Sequence, residues 1–159
     1  MLELKRILVA TDFSRCSETA FKYAKFIAKR FSASIEILHV VDKRDVEKIA
    51  ELYGESEDSV SQRLCLQAKE RYQAFLAEHL QDGTVFEQEV AVGIPFQTIA
   101  LKAQERAVDM IVMGGHGKMG SGQIDKIFFG SRAERVVRIL PCPVLCVPPE
   151  TADPQTSSG

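Results

Sequence analysis

A chain of 159 residues is long enough for one domain with a sizeable core and short for two. Hydrophobic residues make up 45% and charged residues 26%, the balance of an ordinary soluble globular protein rather than a fibrous or disordered one. A net charge of −2 gives no electrostatic reason to expect nucleic acid or an anionic membrane as partner, and no apolar run approaches the length of a membrane span.

The chain opens on MLELKRILVATDFS, which lacks the order of charge, long apolar stretch and small-residue cleavage site of a signal peptide; a cytoplasmic protein is the expectation. Residues 5–10, KRILVA, predict a first strand, broken by Thr11-Asp12-Phe13-Ser14. A helix follows from about Cys16 to Arg30, with Ala20, Ala24, Ile27 and Phe31 on one face and Ser14 or Ser17 as its cap. Residues 34–41, SIEILHVV, are rich in β-branched side chains and predict the second strand. Residues 42–58 are charged and show no clear face, so they read as a mobile connection with at most a helical turn.

A second helix is expected from about Ser59 to Leu80, with Leu64, Ala68, Tyr72, Phe75 and Leu76 as its apolar stripe. Asp82-Gly83 signals a turn, and Thr84 to Val92 reads as the third strand. Pro95 suits the first turn of a third helix, whose inner face is Phe96, Ile99, Ala100, Ala103 and Ala107. Met110 to Met113 forms a fourth strand. Beyond the glycine run 114–131, Ser131 and Glu134 make a capping box for a fourth helix carrying Ala133, Val136, Val137 and Leu140. Val144 to Val147 is the last strand, and residues 149–159 have the polar, Pro/Ser-rich composition of a disordered tail after a domain over 1–148.

Cysteines stand at 16, 65, 142 and 146, without the spacing of a zinc knuckle or a CxxC pair. Cys142 and Cys146 fall on one apparent strand, about 13 Å apart at about 3.3 Å per residue, beyond the roughly 7 Å reach of a disulfide. Buried, reduced thiols are expected.

Apolar strands alternating with amphipathic helices predict an α/β fold, a doubly wound five-stranded parallel sheet covered on both faces. Right-handed crossovers place every strand-to-helix loop on one edge, carrying Thr11-Asp12-Phe13, Val41-Asp42, Gly93-Ile94 and the glycine run. Ligands bind there, where the strand order reverses. Two orders satisfy these rules. In 3-2-1-4-5 Asp12 faces the glycine run; in 2-1-3-4-5 the glycines flank the site. The glycine content after the fourth strand favours the first.

The run GGHGKMGSGQIDKIFFGS holds six glycines ahead of a helix start. Glycine lets main-chain N–H groups approach an anion closely, and a helix N-terminus adds free donors and a favourable dipole. The loop is neither a Walker-type phosphate loop nor a dinucleotide fingerprint, because of its place after the fourth strand and its lack of Gly-Lys-Ser/Thr at the helix start. Each residue also has a plainer reading. The glycines can give flexibility alone, Ser131 and Asp12 can be caps, His116 can be a loop histidine, and Lys118, Lys126 and Arg132 can be surface charges. Asp42 and Asp45 have no partner readable from sequence.

The segments ILVATDFS, ILHVVD, VGIPFQTIALKAQERAVDMIVMGGHGKMG and FGSRAERVVRILPCPVLCVP, in that order over most of residues 4–148, resemble the universal stress protein family, UspA-type. The resemblance implies a Rossmann-like, adenine-nucleotide hydrolase-like fold of order 3-2-1-4-5 and a homodimer paired through the last strand, Val144 to Val147. Nucleotide-binding members resemble Gly-x2-Gly-x9-Gly-Ser/Thr. Aligned on His-Gly, Gly114 and Gly117 lead, and twelve residues rather than nine separate Gly117 from Gly130, a three-residue insertion. The other fit starts at Gly117 and Gly120 and keeps nine. The first keeps the junction with the fourth strand in register and is preferred.

Carried over by position, Ala10, Thr11, Asp12 and Val40 would lie near adenine and ribose. Met113, Gly114 and Gly117 would wrap ribose and phosphates, and Gly130, Ser131 and Arg132 would receive the phosphates. Ala10 departs from the proline of some binding members. The implied ligand is ATP, with AMP and ADP as the other candidates, accompanied by Mg²⁺. The implied role is a nucleotide-dependent regulator with an unidentified protein partner and at most slow hydrolysis. The alternatives are an interaction dimer that binds no nucleotide and an adenylating ATP pyrophosphatase-like enzyme. The latter resembles the fold but carries a Ser-Gly-Gly-x-Asp-Ser loop where this chain has Thr-Asp-Phe-Ser.

Overall fold

The computed structural model describes residues 2–79, 86–115, 139 and 141–148. Its strands are β1 (Arg6–Ala10), β2 (Ser34–Asp42), β3 (Phe86–Gly93), β4 (Met110–Gly114) and β5 (Val144–Val147), of which the edge strand β3 carries Glu87, Gln88 and Glu89 in its first half. Between them lie α1 (Arg15–Phe31), α2 (Lys43–Tyr53), α3 (Glu57–His79) and α4 (Pro95–Glu105). All strand pairs are parallel and the sheet order is β3-β2-β1-β4-β5, the first of the two orders above.

Successive side chains of a strand point to opposite faces, and both faces here are apolar because both are covered. Ile7 and Val9 of β1, Ile35 and Ile37 of β2 and Val112 of β4 pack against Ala20, Phe21, Ala24 and Ala28 of α1 and Tyr72, Phe75 and Leu76 of α3. The alternate residues Leu8, Ala10, Leu38, Val40, Ile111 and Met113 pack with Ile99 and Ala103 of α4. Alanines four apart on α1 let that helix lie close to the sheet, and Phe21 fills the remaining space, fully buried.

The helix ends follow from local chemistry. Ser14 caps α1 by accepting the Ser17 N–H, and Ser32 ends it in the left-handed region at φ 54°. Pro95 occupies the first turn of α4, as expected. That helix stops at Glu105, because Ala107 turns left-handed at φ 50° and the Val108 N–H bonds the Ala103 carbonyl. Ala107 is therefore exposed rather than part of the buried face. Phe31, placed on the inner face of α1 by spacing, is 61% exposed; it is the last residue of α1, next to the left-handed Ser32.

The connection expected over 42–58 is instead mostly helix. Asp42 caps α2 by accepting the Arg44 N–H at 3.0 Å, and Gly54 terminates it at φ 66°. Val46 and Ala50 are buried with Val41 and Val60, so a narrow apolar stripe docks α2 beside α3. Asp42 and Arg44 also form an ion pair, with Asp42 accepting from the guanidinium at 2.6 and 2.9 Å.

All four cysteines are free. Only Cys16 is buried; Cys65, Cys142 and Cys146 are half-buried, and β5 starts at Val144, so Cys142 precedes the strand. Burial pushes the Cys142 and Cys146 thiols up from their ordinary value. Among the described residues no helix is long and apolar enough to cross a membrane. The fourth predicted helix, the turn at 82–83 and the tail 149–159 lie outside the described residues.

Candidate functional site

The strand order reverses between β1 and β4, and in open α/β sheets ligands bind outside the strand carboxyl ends at such a point. Register brings the predicted residues there together. Ala10 stands opposite Leu38 of β2 on one side and Met113 of β4 on the other. Ala10, Val40 and Met113 belong to one packed cluster on the α4 face.

The loop leaving β1 is pinned at each residue. The Thr11 N–H bonds the Leu38 carbonyl at 2.9 Å, extending the ladder by one step. The Thr11 hydroxyl donates to Ser17 Oγ at 3.0 Å and accepts the Phe13 N–H at 3.0 Å, and the residue is buried. Asp12 Oδ1 accepts the Ser14 N–H at 2.9 Å, an Asx turn just ahead of the Ser14 cap. Asp12 therefore shapes the turn, while the capping of α1 falls to Ser14.

At the end of β4, Gly114 serves packing. A Cβ there would lie 2.9 Å from Cys16 Sγ and 3.0 Å from the Cys16 carbonyl carbon, so the bare Cα is what admits the first turn of α1 against β4. The Cys16 thiol donates to the Val147 carbonyl at 3.3 Å, and the Gly115 N–H donates to that same oxygen at 2.7 Å. The Gly115 amide is thus engaged in holding β5 to β4, and any anion cradle in the glycine run begins beyond it. Gly117, Gly130, Ser131 and Arg132, with His116, Lys118 and Lys126, lie outside the described residues.

The universal stress protein family model matches residues 3–148, nearly the whole chain, on this same sheet. The chain belongs to the universal stress protein family. Among its family relatives, universal stress protein MJ0577 of Methanocaldococcus jannaschii is 32% identical over 155 residues, covering 90% of this chain and 94% of that protein. A solved structure of MJ0577 aligns with a TM-score of 0.79 at 30% identity, over 95% of this chain and all of that one. A universal stress protein of Archaeoglobus fulgidus solved in complex with dAMP shares the fold, at a TM-score of 0.62 and 21% identity over 92% of this chain and 99% of that one.

Two residues beside Thr11 and Asp12 were not among the site residues predicted from sequence, though one of them carried a cue. Phe13 sits at φ 61°, in the left-handed region that a bulky side chain rarely adopts. His39, a polar side chain inside the apolar run of β2, donates from Nδ1 to the Thr11 carbonyl at 2.8 Å. The histidine in ILHVV was the available cue: a ring nitrogen in a covered strand needs a partner. Phe13 offered none, because a phenylalanine after a strand reads as core whatever its backbone does.

Proposed function

We propose that this chain binds an adenine nucleotide, ATP first among them, at the carboxyl ends of β1 and β4 and acts as a nucleotide-dependent regulator in a stress response. The observation that supports this most is the meeting of Ala10, Val40 and Met113 in one cluster where the sheet reverses, with Asp12 on the adjoining loop and the glycine run leaving β4. Apolar side chains suit a purine face, and a carboxylate accepts hydrogen bonds from ribose hydroxyls or an exocyclic amine. Gly117, Gly130, Ser131 and Arg132 supply the phosphate side in this reading, through main-chain donors, a hydroxyl and a helix start. Mg²⁺ would accompany the triphosphate and offset part of its charge.

That a universal stress protein of the same fold was solved in complex with dAMP supports an adenine nucleotide as the ligand class. Pairing of two copies through β5 belongs to the same reading. β5 is an edge strand, Val144, Leu145 and Cys146 are half-buried, and an apolar edge left open is a pairing hazard. The cytoplasm, where ATP is abundant, is the compartment this function needs.

Calorimetric titration of the purified chain with ATP·Mg²⁺ and with AMP tests the reading. Micromolar binding is expected, weakened at least tenfold in Gly117→Val and in Asp12→Asn. A valine at 114 is a poor probe, because it would disturb α1 whether or not nucleotide binds there. Undiminished binding in both variants would put the nucleotide elsewhere. An absence of heat with any nucleotide would favour an interaction dimer.

A further inference from the structure

We infer that Phe13 and His39 are positioning residues: together with α3 they form a latch that holds the β1–α1 loop, and so Asp12, in a preset geometry for the nucleotide. The inference rests on the nucleotide reading for its purpose but not for its structure.

A phenylalanine at φ 61° is strained, and such a conformation persists only when its surroundings over-determine it. Here they do. The Phe13 ring lies against the His39 ring with centroids 4.6 Å apart. Its other contacts come from one helix: Tyr72 edge-on at 4.9 Å and Phe75 at 6.0 Å. The Arg71 guanidinium covers the ring at 5.5 Å, a cation–π contact. The anchor itself is fixed, because the buried Tyr72 hydroxyl donates to the Ile37 and Glu89 carbonyls of β2 and β3. His39 works from below, stacking on Phe13 while its Nδ1–H holds the Thr11 carbonyl.

Asp12 is therefore bracketed. The residue before it is tied by main chain, hydroxyl and carbonyl; the residue after it is clamped by an aromatic group from α3. Phe13 packs against the margin of the core cluster that holds Phe21, Tyr72 and Phe75, so the loop is tied to the core through its ring. A glycine at 13 would adopt the same backbone with less strain. Sequence selection of a phenylalanine there buys a loop whose ordering cost is met before ligand arrives.

The test uses Phe13→Gly, which suits the left-handed backbone and removes the ring, and His39→Asn, whose amide can still donate to the Thr11 carbonyl but cannot stack. A core control, Phe86→Leu, touches Phe21 and not the loop. Amide exchange at Ser14, whose N–H bonds Asp12, is read without nucleotide; ATP·Mg²⁺ affinity is read by calorimetry, beside the melting temperature. Phe13→Gly should speed Ser14 exchange at least tenfold and weaken ATP binding about tenfold. His39→Asn should show an intermediate loss. Phe86→Leu should lower the melting temperature while its affinity stays within twofold of the parent. Unchanged Ser14 exchange in Phe13→Gly overturns the latch, whatever nucleotide does. Faster exchange with unchanged affinity overturns the positioning role. A parent chain that binds no nucleotide refutes the proposed function, and with it the purpose of the latch, while the exchange result still judges the latch itself.

Discussion

Gly114→Ala isolates the close approach of α1 to β4. Gly114 lies in β4 with no positive φ, so alanine brings no backbone strain. It even restricts the unfolded chain, a gain of about 0.4–1 kcal/mol. Against that, the new Cβ would stand 2.9 Å from Cys16 Sγ, 3.0 Å from the Cys16 carbonyl carbon and 3.1 Å from Cys16 Cβ. Two of these are main chain or attached to it, and the thiol can swing away only by giving up its bond to the Val147 carbonyl. Overpacking of this kind costs about 1–3 kcal/mol, which leaves a net loss of roughly 1–2 kcal/mol. In a domain of this size that lowers the melting temperature by roughly 2–8 °C. Urea denaturation of the parent, Gly114→Ala, Cys16→Ala and the double variant supplies the assay. Removing the thiol should recover part of the loss, as a coupling of about 0.5–1 kcal/mol in the cycle. A Gly114→Ala chain as stable as the parent, with no coupling to Cys16, would refute the packing argument and return this glycine to a purely ligand-facing role.

Three further outcomes are expected. Asp109 accepts the Lys5 and Arg6 N–H groups at 2.8 and 2.9 Å, which hold its carboxyl below the ordinary 3.8. A carboxyl depressed on folding contributes stability above pH 3.8 that is lost as pH falls through its folded value, so Asp109→Asn should flatten the acid limb of a melting-temperature profile. Burial lowers the His79 imidazole from its ordinary 6.5, and Nε2 is buried without a hydrogen-bond partner among the described residues. The unfolded chain then binds the extra proton more readily, so stability falls as pH drops through 6.5; His79→Phe, set among Phe21 and Phe75, should remove that acid loss in parallel melts at pH 5 and pH 8. Arg106 bridges Glu36 of β2 and Glu89 of β3, and Lys102 also pairs with Glu89 at 2.9 Å, so Arg106→Met should deprive Glu36 of this partner while Lys102 still holds Glu89, and cost about 1 kcal/mol in chemical denaturation, less than a fully buried pair.

The strands were readable because covered parallel strands are short continuous apolar runs, a local property. α2 was not, although its bounds were marked by Asp42 at the start and Gly54 at the end. Its apolar stripe is only Val46, Ile49 and Ala50 among charges, and it becomes a face only when Val41 and Val60 arrive to cover it. Phe31 failed in the opposite sense: its spacing was right, but it is the last residue of α1, next to the left-handed Ser32, and stays exposed. Near the strand reversal, Ala10, Val40 and Met113 share one packed cluster, while the packing role of Gly114 depends on Cys16, far away in sequence.

By itself the sequence determined the alternation of strands and helices, a serine cap for α1 at 14 or 17, the first turn of α4 at Pro95, and the family, because propensity, period and motif are written in neighbouring residues. Only the tertiary structure decided between the two strand orders, turned Phe13 into the left-handed region and gave its ring to α3, and spent Gly114 on the approach of a helix. Those choices are made by contacts between residues far apart along the chain. A covalent neighbour carries no record of which distant side chain will close against it.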